Sequence, residues 1–551
     1  MDTNAIFTAP LPIPMYLAGN FGELRGGHFH AGIDIKTQQV EGIPVLAAAD
    51  GYVSRVKISL GGYGNAIYIT HPNGYTTAYG HLQKFNATIN EFVLEEQYTR
   101  KKFTVELFFS SEQIPVNQGD TIALSGNSGG SGGPHLHFEI RKTVGAIPQN
   151  PLKFGFDIKD DIAPIMKNLA VYPLNDTSLV NGKSVPVFIA LNKTGRTYSL
   201  PNNTKITARG VVGFGLEAID KLNGSNNRCG VYNMTLTADT SIIYSHQMDE
   251  ISFANTRYIQ THVDFYETQK NKRRIQKSYL TTHNQLRIYK NVQNKGLVYF
   301  SKYGHRLKYD ITDVYGNETS LAFSVELDTS TPSPQIIADS SLILPYNGAS
   351  YFEDEHIKIQ FPKYSLYEDL KFTYSMRDTI SNAVSPIHEI QNLYTPLQKR
   401  MTVSIETPKV AKDVGDKFFA VSLNEKNEVI SPEGGEYENG WVTFKTRSFG
   451  PYTIMKDTIA PSITPINFDS NSAHFSELTQ VVLKVEDDLS GVNTYNVYVD
   501  GVWHLLEYDP KTGLIWINLY PNMFSKGMHK MEIKVSDSVN NFKAFTFNFI
   551  W

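Results

Sequence analysis

Three short segments near the start of the chain carry residue types that bind metal ions. In chain order they are His30-Ala31-Gly32-Ile33-Asp34, Tyr79-Gly80-His81-Leu82 and His135-Leu136-His137-Phe138-Glu139-Ile140. A catalytic zinc ion typically takes three imidazole or carboxylate ligands and keeps a fourth position for water. These segments therefore contain the ligands of a hydrolytic metal centre, provided that the fold brings them together.

A strand conformation of the third segment would place its histidines side by side, because side chains alternate between the two faces of a strand. The apolar face would carry Leu136, Phe138 and Ile140. The opposite, open face would carry His135, His137 and Glu139. On that face Glu139 has the position to orient His135, but we interpret it as a glutamate that faces solvent.

The first segment, if extended, places His30 and Asp34 on one face and Ile33 on the other. Two such strands packed side by side offer imidazole, carboxylate and imidazole, and His81 and His135 remain as bases next to the metal. Either histidine pattern alone is common by chance. Their joint occurrence, with an isolated histidine between them and glycine-rich turns around all three, argues against a chance cluster.

Length, charge and cysteine content set further limits on the chain. At about 150 residues per domain, 551 residues predict three to five domains. The net charge of −4 provides no basic surface for nucleic acid. The single cysteine, Cys229, excludes a disulfide within one chain, so a zinc site must use histidines and carboxylates. No apolar run approaches the ~20 residues that span a bilayer, and no transmembrane segment is predicted.

A short Asp-x-x-x-Pro pattern recurs along the chain. The copies are Asp160-Asp161-Ile162-Ala163-Pro164, Asp328-Thr329-Ser330-Thr331-Pro332 and Asp457-Thr458-Ile459-Ala460-Pro461. Proline removes a backbone donor and favours extended geometry before it, which suits a linker or an edge strand. We therefore predict four domains, at 1–159, 160–327, 328–456 and 457–551.

Alternating apolar residues and turn signals predict an all-β chain. In the last segment Met531, Ile533 and Val535 alternate with polar residues, and Asp500-Gly501 is a strong hairpin signal. Several short strands with turns between them indicate a β-sandwich, and the middle segments show a similar but less regular pattern. One helix is predicted near Asn90 to Lys102, where three glutamates precede three basic residues.

The order of the motifs over roughly 19–142 resembles that of the lysostaphin-type, or LytM-like, zinc metallopeptidases, peptidase family M23. Besides the histidine motifs, the resemblance rests on Val45–Val53, Gly61–Ile69, Val116–Asp120 and Ser125–Gly129. An ordered match of this length is highly specific. The chain departs from the family between Leu82 and Val116, where the usual connection is short. This inserted segment, at about 86–114, is expected either to form a lid or groove wall or to be a tolerated surface insertion.

The resemblance implies a compact antiparallel β-domain in which His30, Asp34 and His137 bind one Zn²⁺ per chain. It implies that His81 and His135 flank the metal-bound water and the scissile carbonyl, with roles that the sequence does not divide between them. The expected activity is that of an endopeptidase, which hydrolyses peptide bonds in bacterial peptidoglycan with a zinc-activated water. The alternative is a catalytically silent LytM-like regulator that binds wall or activates another wall hydrolase. Such domains usually lack one or more of these five residues, whereas this chain has them all.

Peptidoglycan as substrate implies an extracytoplasmic localisation, in the periplasm, in the cell envelope or outside the cell. Met1 to Pro14 has neither a charged start nor an apolar stretch, so we expect that a signal peptide was removed and Met1 added. The modules of 160–551 resemble immunoglobulin-like spacers of cell-envelope proteins. They are expected to position the enzyme, to bind wall or envelope protein partners, or to cover the active groove. A third reading is an adhesin in which these modules matter most.

Overall fold

The computed structural model describes residues 7–329 and 342–551, which form β-strands and a few mostly short helices. The predicted all-β fold class is confirmed. Of the second Asp-x-x-x-Pro copy, Ser330 to Pro332 lie outside the described residues, as do Met1 to Ile6. Within the described ranges no helix is long and apolar enough to cross a membrane.

The described part of the N-terminal segment forms two sheets around one hydrophobic core and a short two-stranded sheet, β2-β3. Its strands are β1 (Leu17–Gly19), β2 (Leu24–Arg25), β3 (His28–Phe29), β4 (Ile33–Lys36), β5 (Pro44–Leu46), β6 (Gly51–Ile58), β7 (Asn65–Thr70), β8 (Tyr75–Gly80), β9 (Leu82–Phe85), β10 (Glu106–Phe108), β11 (Pro115–Val116), β12 (Thr121–Ser125), β13 (His135–Lys142) and β14 (Ile147–Gln149). The larger sheet has the order β1-β4-β13-β8-β7-β6-β10, and the smaller one is β5-β12-β9. The predicted core face of β13 is confirmed, because Leu136, Phe138 and Ile140 are all fully buried.

The predicted helix of the inserted segment is present as α1 (Ala87–Arg100) and begins slightly before the expected start at Asn90. The side chain of Asn86 accepts a hydrogen bond of 3.0 Å from the backbone N–H of Ile89, which caps the first turn. Ile89 and Val93 are buried in the N-terminal core. The helix therefore packs against the core of the domain and is not a detached surface loop. Its role as a lid stays a prediction.

The remaining segments contain thirty-four strands and three short helices among the described residues. The strands before residue 330 are β15 (Ile165–Pro173), β16 (Leu179–Val180), β17 (Val187–Ala190), β18 (Asn192–Thr194), β19 (Thr197–Ser199), β20 (Thr207–Ile219), β21 (Asn233–Ala238), β22 (Ser241–Gln247), β23 (Ile275–Lys277), β24 (Tyr289–Val292), β25 (Val298–Phe300), β26 (His305–Thr312) and β27 (Glu318–Leu327). Those between 342 and 456 are β28 (Ile343–Leu344), β29 (Ser350–Asp354), β30 (Ile357–Phe361), β31 (Leu370–Lys371), β32 (Tyr374–Arg377), β33 (Ile387–Ile390), β34 (Met401–Glu406), β35 (Phe418–Leu423), β36 (Val429–Gly434), β37 (Glu436–Glu438), β38 (Trp441–Thr446) and β39 (Gly450–Lys456). The last are β40 (Ser462–Pro465), β41 (Ala473–His474), β42 (Gln480–Glu486), β43 (Val492–Val499), β44 (Val502–His504), β45 (Glu507–Asp509), β46 (Leu514–Asn518), β47 (Met528–Asp537) and β48 (Phe542–Ile550). The helices are α2 (Ile259–His262), α3 (Phe265–Lys270) and α4 (Lys412–Gly415).

Each of these three segments has a hydrophobic cluster of its own. In the last segment a four-stranded and a five-stranded sheet contribute to one cluster, and Asp500-Gly501 turns β43 into β44 as predicted. Residues 342–456 contain two five-stranded sheets and the two-stranded β28-β31, and β15–β27 form one extended strand network. The four-domain division with its boundaries and the immunoglobulin-like character of the modules stay predictions.

The helix of the insertion faces the C-terminal segment across a cleft of about 820 Å³. The rings of Tyr98 and Trp503 meet edge to face across it, with centroids 5.4 Å apart. Glu507 lines the same cleft, where its carboxylate accepts a hydrogen bond from the amide of Asn518. Burial raises the pKa of Glu507 to about 7. Near neutral pH this side chain is therefore still partly protonated, and its ionisation at higher pH costs stability.

We expect Glu507→Gln to stabilise the C-terminal segment at pH 8 by on the order of 2 kcal/mol. Because the folded pKa lies above the unfolded value of 4.5, the protonated side chain stabilises the fold below about pH 4.5. That stability is lost as the pH rises through 7, and the neutral glutamine removes this loss. Thermal unfolding followed by tryptophan fluorescence from pH 4.5 to 8 measures the effect, with the exposed Glu477→Gln as control. Parallel pH profiles of wild type and Glu507→Gln would contradict the prediction.

Candidate metal centre

The register of three strands places the candidate ligands. In β13 His137 lies directly opposite Asp34 of β4 on one side and opposite Gly80 of β8 on the other. His81 follows Gly80 in the one-residue link to β9. His30 lies in the turn between β3 and β4, four residues before Asp34. The two-residue period of the strands thus brings all of these side chains to one face of the sheet.

The three predicted metal ligands form one buried group. The Oδ1 atom of Asp34 lies 3.0 Å from Nε2 of His30 and 2.9 Å from Nδ1 of His137. The two imidazole nitrogens are themselves 3.1 Å apart. One nitrogen or oxygen atom from each residue therefore points to a common centre, and these three atoms suit the ligand set of a divalent metal.

The hydrogen bonds behind the group determine which nitrogen of each imidazole faces the centre. Nδ1 of His30 donates to the carbonyl oxygen of Asn20 at 2.8 Å, and Nε2 of His137 donates to Glu139 at 2.8 Å. Neutral rings with these protons keep their lone pairs on Nε2 of His30 and Nδ1 of His137. Together with Asp34 Oδ1, three acceptor atoms then meet without a proton between them. These three ligand atoms therefore fit a metal cation.

The support of these two histidines extends into the rest of the structure. The side chain of Asn20 donates to the carbonyl of Gly230 at 2.8 Å and accepts from its N–H at 2.7 Å. The carbonyl that orients His30 is thus fixed by the second segment of the chain. Partners of this kind tune a metal ligand by holding its tautomer and ring orientation.

Glu139 does not face solvent, so the interpretation made from the sequence is wrong. Its side chain is fully buried, and its Oε2 accepts a hydrogen bond of 2.6 Å from Nε of Arg141. The hydroxyl of Tyr63 and Nε2 of His137 donate to its Oε1. A buried carboxylate is tolerated here because an arginine on the same strand face neutralises it. The Glu-x-Arg spacing could have indicated this ion pair, because Glu139 and Arg141 lie on the same strand face as His135 and His137.

Arg25 is a residue of the centre that no sequence pattern indicated. Its guanidinium lies 2.5 Å from Oδ2 of Asp34, the carboxylate oxygen that faces away from the two histidines. Glu23 adds a weaker contact with the same guanidinium at 3.4 Å. The arrangement leaves Oδ1 of Asp34 as the oxygen directed to the metal position. Arg25 ends the two-residue strand β2, directly before Gly26 and Gly27, and such a short element shows no periodicity in the sequence, so its role depends on tertiary structure.

His81 and His135 lie next to the ligand group, with ring centroids 4.7 Å apart. Nδ1 of His81 donates to the carbonyl of Ser128, and Nδ1 of His135 donates to that of Gly133, each at 2.8 Å. Neutral rings with this tautomer carry the lone pair on Nε2. Nε2 of His135 lies 3.5 Å from Oδ1 of Asp34, close to the metal position. The structure thus brings together all five residues singled out from the sequence.

The electrostatics of the group favour a positive charge at its centre. Burial acts to raise the pKa of Asp34, but His30 and the other imidazoles outweigh it and hold that pKa well below its usual range. Burial favours a neutral His137, yet its hydrogen bonds to Asp34 and Glu139 raise its pKa to about 9. Burial lowers the pKa of His81 to about 3, with neighbouring imidazoles as a further cause. The site therefore attracts a cation between its carboxylates while His81 stays neutral.

Gly32 provides the close approach between the two ligand-bearing strands. A Cβ atom at this position would lie 2.3 Å from the carbonyl oxygen of Phe138, next to His137. We expect Gly32→Ala to destabilise the fold by about 1–3 kcal/mol and to reduce bound metal, because β4 must move away from β13. Thermal unfolding and metal content measure both effects. Gly26→Ala, which meets no atom within 4 Å, is the matched control; equal effects of the two would contradict the prediction.

The fold and the centre together define a class: an antiparallel β-domain with a His–Asp–His group that could hold a metal ion. Residues 28–99 match the family model of Peptidase family M23, which supports the resemblance of the N-terminal domain to that family. Residues 341–457 match a second family model, described as a Zu5-like domain.

Relatives that match about a quarter of the chain are found in several bacteria. The chain is 37% identical over 129 residues to the "DD-carboxypeptidase/endopeptidase Mpg" of Neisseria meningitidis, a stretch that covers 23% of either chain. It is 35% identical over 135 residues to the "Murein hydrolase activator NlpD" of Salmonella typhimurium, which covers 24% of this chain and 28% of the relative. The matched stretches thus span about a quarter of each relative.

A solved structure shows a similarity of the same extent. The catalytic domain of lysostaphin from Staphylococcus simulans is 25% identical, with a TM-score of 0.19. The match covers 25% of this chain and 91% of that domain.

Proposed function

We propose that this chain is a zinc-dependent endopeptidase that hydrolyses peptide bonds in bacterial peptidoglycan, in crosslinks or in stem peptides. The observation that carries the proposal is the convergence of three potential ligand atoms, from His30, Asp34 and His137, beside two further histidines. The name of the Neisseria relative, a DD-carboxypeptidase/endopeptidase, indicates an activity of the same class.

One Zn²⁺ per chain would be held by His30, Asp34 and His137. When bound, zinc polarises a scissile carbonyl and lowers the pKa of a coordinated water from 15.7 to about 7. Arg25 holds Asp34 through its second oxygen, and Glu139 holds His137 through Nε2. These contacts keep the ligands oriented without a metal, so little reorganisation accompanies binding.

His81 and His135 are proposed to move the protons of the reaction. Both rings donate through Nδ1 to backbone carbonyls, which leaves Nε2 of each to accept or return a proton. His81 is the single residue that links β8 to β9, and it has a positive φ of 60°, which is uncommon for a residue other than glycine. Strained backbone of this kind is often found at functional positions. Two bases on one side of the ligand group suit the attack on a carbonyl and the protonation of the leaving amine.

The second candidate is a catalytically silent regulator that binds wall or activates another wall hydrolase. The name of the Salmonella relative, a murein hydrolase activator, favours it. Against it stands the full set of ligands and flanking histidines in this chain. Under either function the protein is proposed to be extracytoplasmic, with peptidoglycan as its target and envelope proteins as possible partners of the modules after residue 159.

Digestion of purified peptidoglycan by the intact chain tests the proposal. The protein is freed of metal, reloaded with one equivalent of Zn²⁺, and the released fragments are identified by mass spectrometry. Zinc-dependent release of new amino and carboxyl termini from the peptide part supports the endopeptidase and names the bond. If zinc binds stoichiometrically but walls of several peptide chemistries stay intact, the regulator becomes the better assignment.

The C-terminal segment touches the loop that orients both catalytic histidines. Nζ of Lys511, in the turn between β45 and β46, donates to the carbonyls of Asn127 and Ser131. The same loop supplies the carbonyls of Ser128 and Gly133 to the histidine rings. The C-terminal segment thus lies at the rim of the proposed active site.

We expect Lys511→Gln to raise the digestion of intact peptidoglycan by about threefold, because losing a charge-assisted hydrogen bond loosens the C-terminal segment from the rim. The loop has its own support, since Ser128 Oγ donates to the carbonyl of Leu82, so hydrolysis of a short soluble peptide should not change. Rates on the two substrates are compared with those of Lys526→Gln. A parallel fall on both substrates would show that Lys511 supports the loop instead.

A further inference from the structure

Among the described residues, two groups of three aspartates occur outside the N-terminal centre. They are Asp160 with Asp220 and Asp313, and Asp457 with Asp487 and Asp537. In each group one carboxylate oxygen per residue lies within 4.8 Å of the other two. The first residue of each group begins a copy of the recurring Asp-x-x-x-Pro pattern, which the N-terminal centre does not explain.

Both groups are built in the same way. A linker aspartate precedes a strand, a second aspartate follows a strand, and a third lies at the end of a strand whose hairpin turn ends in asparagine. In the first group the amide of Asn317 donates to Asp313 Oδ2 at 2.7 Å and to the backbone carbonyl of Asp160 at 3.1 Å. In the second, Asn541 makes the corresponding contacts with Asp537 and Asp457 at 2.7 and 3.2 Å.

The two groups differ in whether their carboxylates have donors. In the second, Asp457 Oδ2 accepts from the hydroxyl of Ser490 and Asp487 Oδ2 from the N–H of Gly491, each at 2.6 Å. The hydrogen bonds of its aspartates account for their burial without an ion.

In the first group, Asp220 Oδ1 and Asp160 Oδ2 are buried and have no hydrogen-bond partner among the described residues. Asp220 is only 3% exposed. Burying an ionised carboxylate without a partner costs several kcal/mol. Burial and the neighbouring Asp313 raise the pKa of Asp220 to about 8. The pocket thus contains acceptor oxygens for which the protein supplies no donor.

We propose that Asp160, Asp220 and Asp313 bind one Ca²⁺ ion at the junction between the N-terminal domain and the second segment. Calcium takes 6–8 oxygen ligands at 2.3–2.6 Å in irregular geometry, so oxygens around one ion lie up to about 5 Å apart. The separations in this group fit that limit. An oxygen-only set selects a hard cation over zinc, which takes nitrogen and sulfur ligands more readily.

The ion would connect two parts of the molecule. Asp160 belongs to the linker that leaves the N-terminal domain. Leu222 and Cys229, which lie on the loop that begins at Asp220, are buried in the N-terminal core, and Val314 packs against it directly after Asp313. A cation held by three loops at this interface therefore fixes how the second segment sits against the metallopeptidase domain.

Calcium binding to the full chain tests the inference independently of catalysis. The protein, loaded with one equivalent of Zn²⁺ in calcium-free buffer, is titrated with CaCl₂ by calorimetry. We expect one saturable site, which Asp220→Asn abolishes and Asp161→Asn, its exposed neighbour in the linker, retains. Asp487→Asn in the hydrogen-bonded second group and His137→Ala in the zinc centre should also retain it.

Thermal unfolding provides the second measurement. Calcium should raise the unfolding temperature of wild type by several degrees and leave that of Asp220→Asn unchanged. Without calcium, Asp220→Asn should be at least as stable as wild type, because it removes a repelling charge. The inference is overturned if no saturable binding is seen, if Asp220→Asn keeps the site, or if Mg²⁺ produces the same shift at equal concentration.

Discussion

His137→Ala is expected to remove bound zinc and to lower peptidoglycan hydrolysis by about 10³-fold or more. Two ligands, His30 and Asp34, remain in the variant, but the cation loses the imidazole held between Asp34 and Glu139. Without a metal, the pKa of the attacking water is not lowered toward 7, so little hydroxide is available near neutral pH. Zinc content by mass spectrometry and fragment release from peptidoglycan measure the two losses together.

The control for this variant is His28→Ala, which changes an exposed histidine two residues from His30 and outside the ligand group. It should bind zinc and cut like wild type. Circular dichroism and thermal unfolding must show that His137→Ala is folded, since the ring also stacks on Tyr63 with centroids 4.8 Å apart. Retained hydrolysis in a folded, zinc-free His137→Ala would contradict the assignment of the metal centre.

The convergence of the candidate ligands was predictable because much of it depends on local periodicity. Alternation along β13 separates His135 and His137 from Leu136 and Phe138, and one antiparallel neighbour is enough to bring Asp34 opposite His137. The all-β class followed from the same period-two patterns. Such features are encoded within a few residues of each other, so a sequence reveals them without tertiary information.

The rest of the centre depends on contacts between distant parts of the chain. Arg25 reaches Asp34 from the short strand β2, and Gly230 supports Asn20 from 210 residues away. Lys511 contacts the glycine-rich loop from the far end of the chain. No spacing rule predicts contacts at these separations, because packing between segments decides them. The error at Glu139 has the same origin, since its burial requires the tyrosine and arginine that surround it.

Glu139→Ala is expected to have the second-largest effect, on stability and on metal affinity alike. Glu139 is fully buried and accepts from His137, Tyr63 and Arg141. Its removal leaves the buried guanidinium of Arg141 without its carboxylate, which typically costs about 3–5 kcal/mol. It also frees His137 to rotate or to change tautomer. Loss of such a supporting partner lowers metal affinity by about 10–100-fold.

Two further variants separate these effects. Glu139→Gln keeps the volume and an oxygen that accepts from His137 but not the charge, so it should bind zinc more tightly than Glu139→Ala while remaining less stable than wild type. Glu250→Gln removes a carboxylate from an exposed pair with Lys142, which contributes little. Zinc affinity is measured by competition with a chromophoric chelator, and stability by thermal unfolding. If Glu139→Ala binds zinc as tightly as Glu250→Gln, the carboxylate serves only to bury Arg141, and His137 needs no support from it to hold the metal.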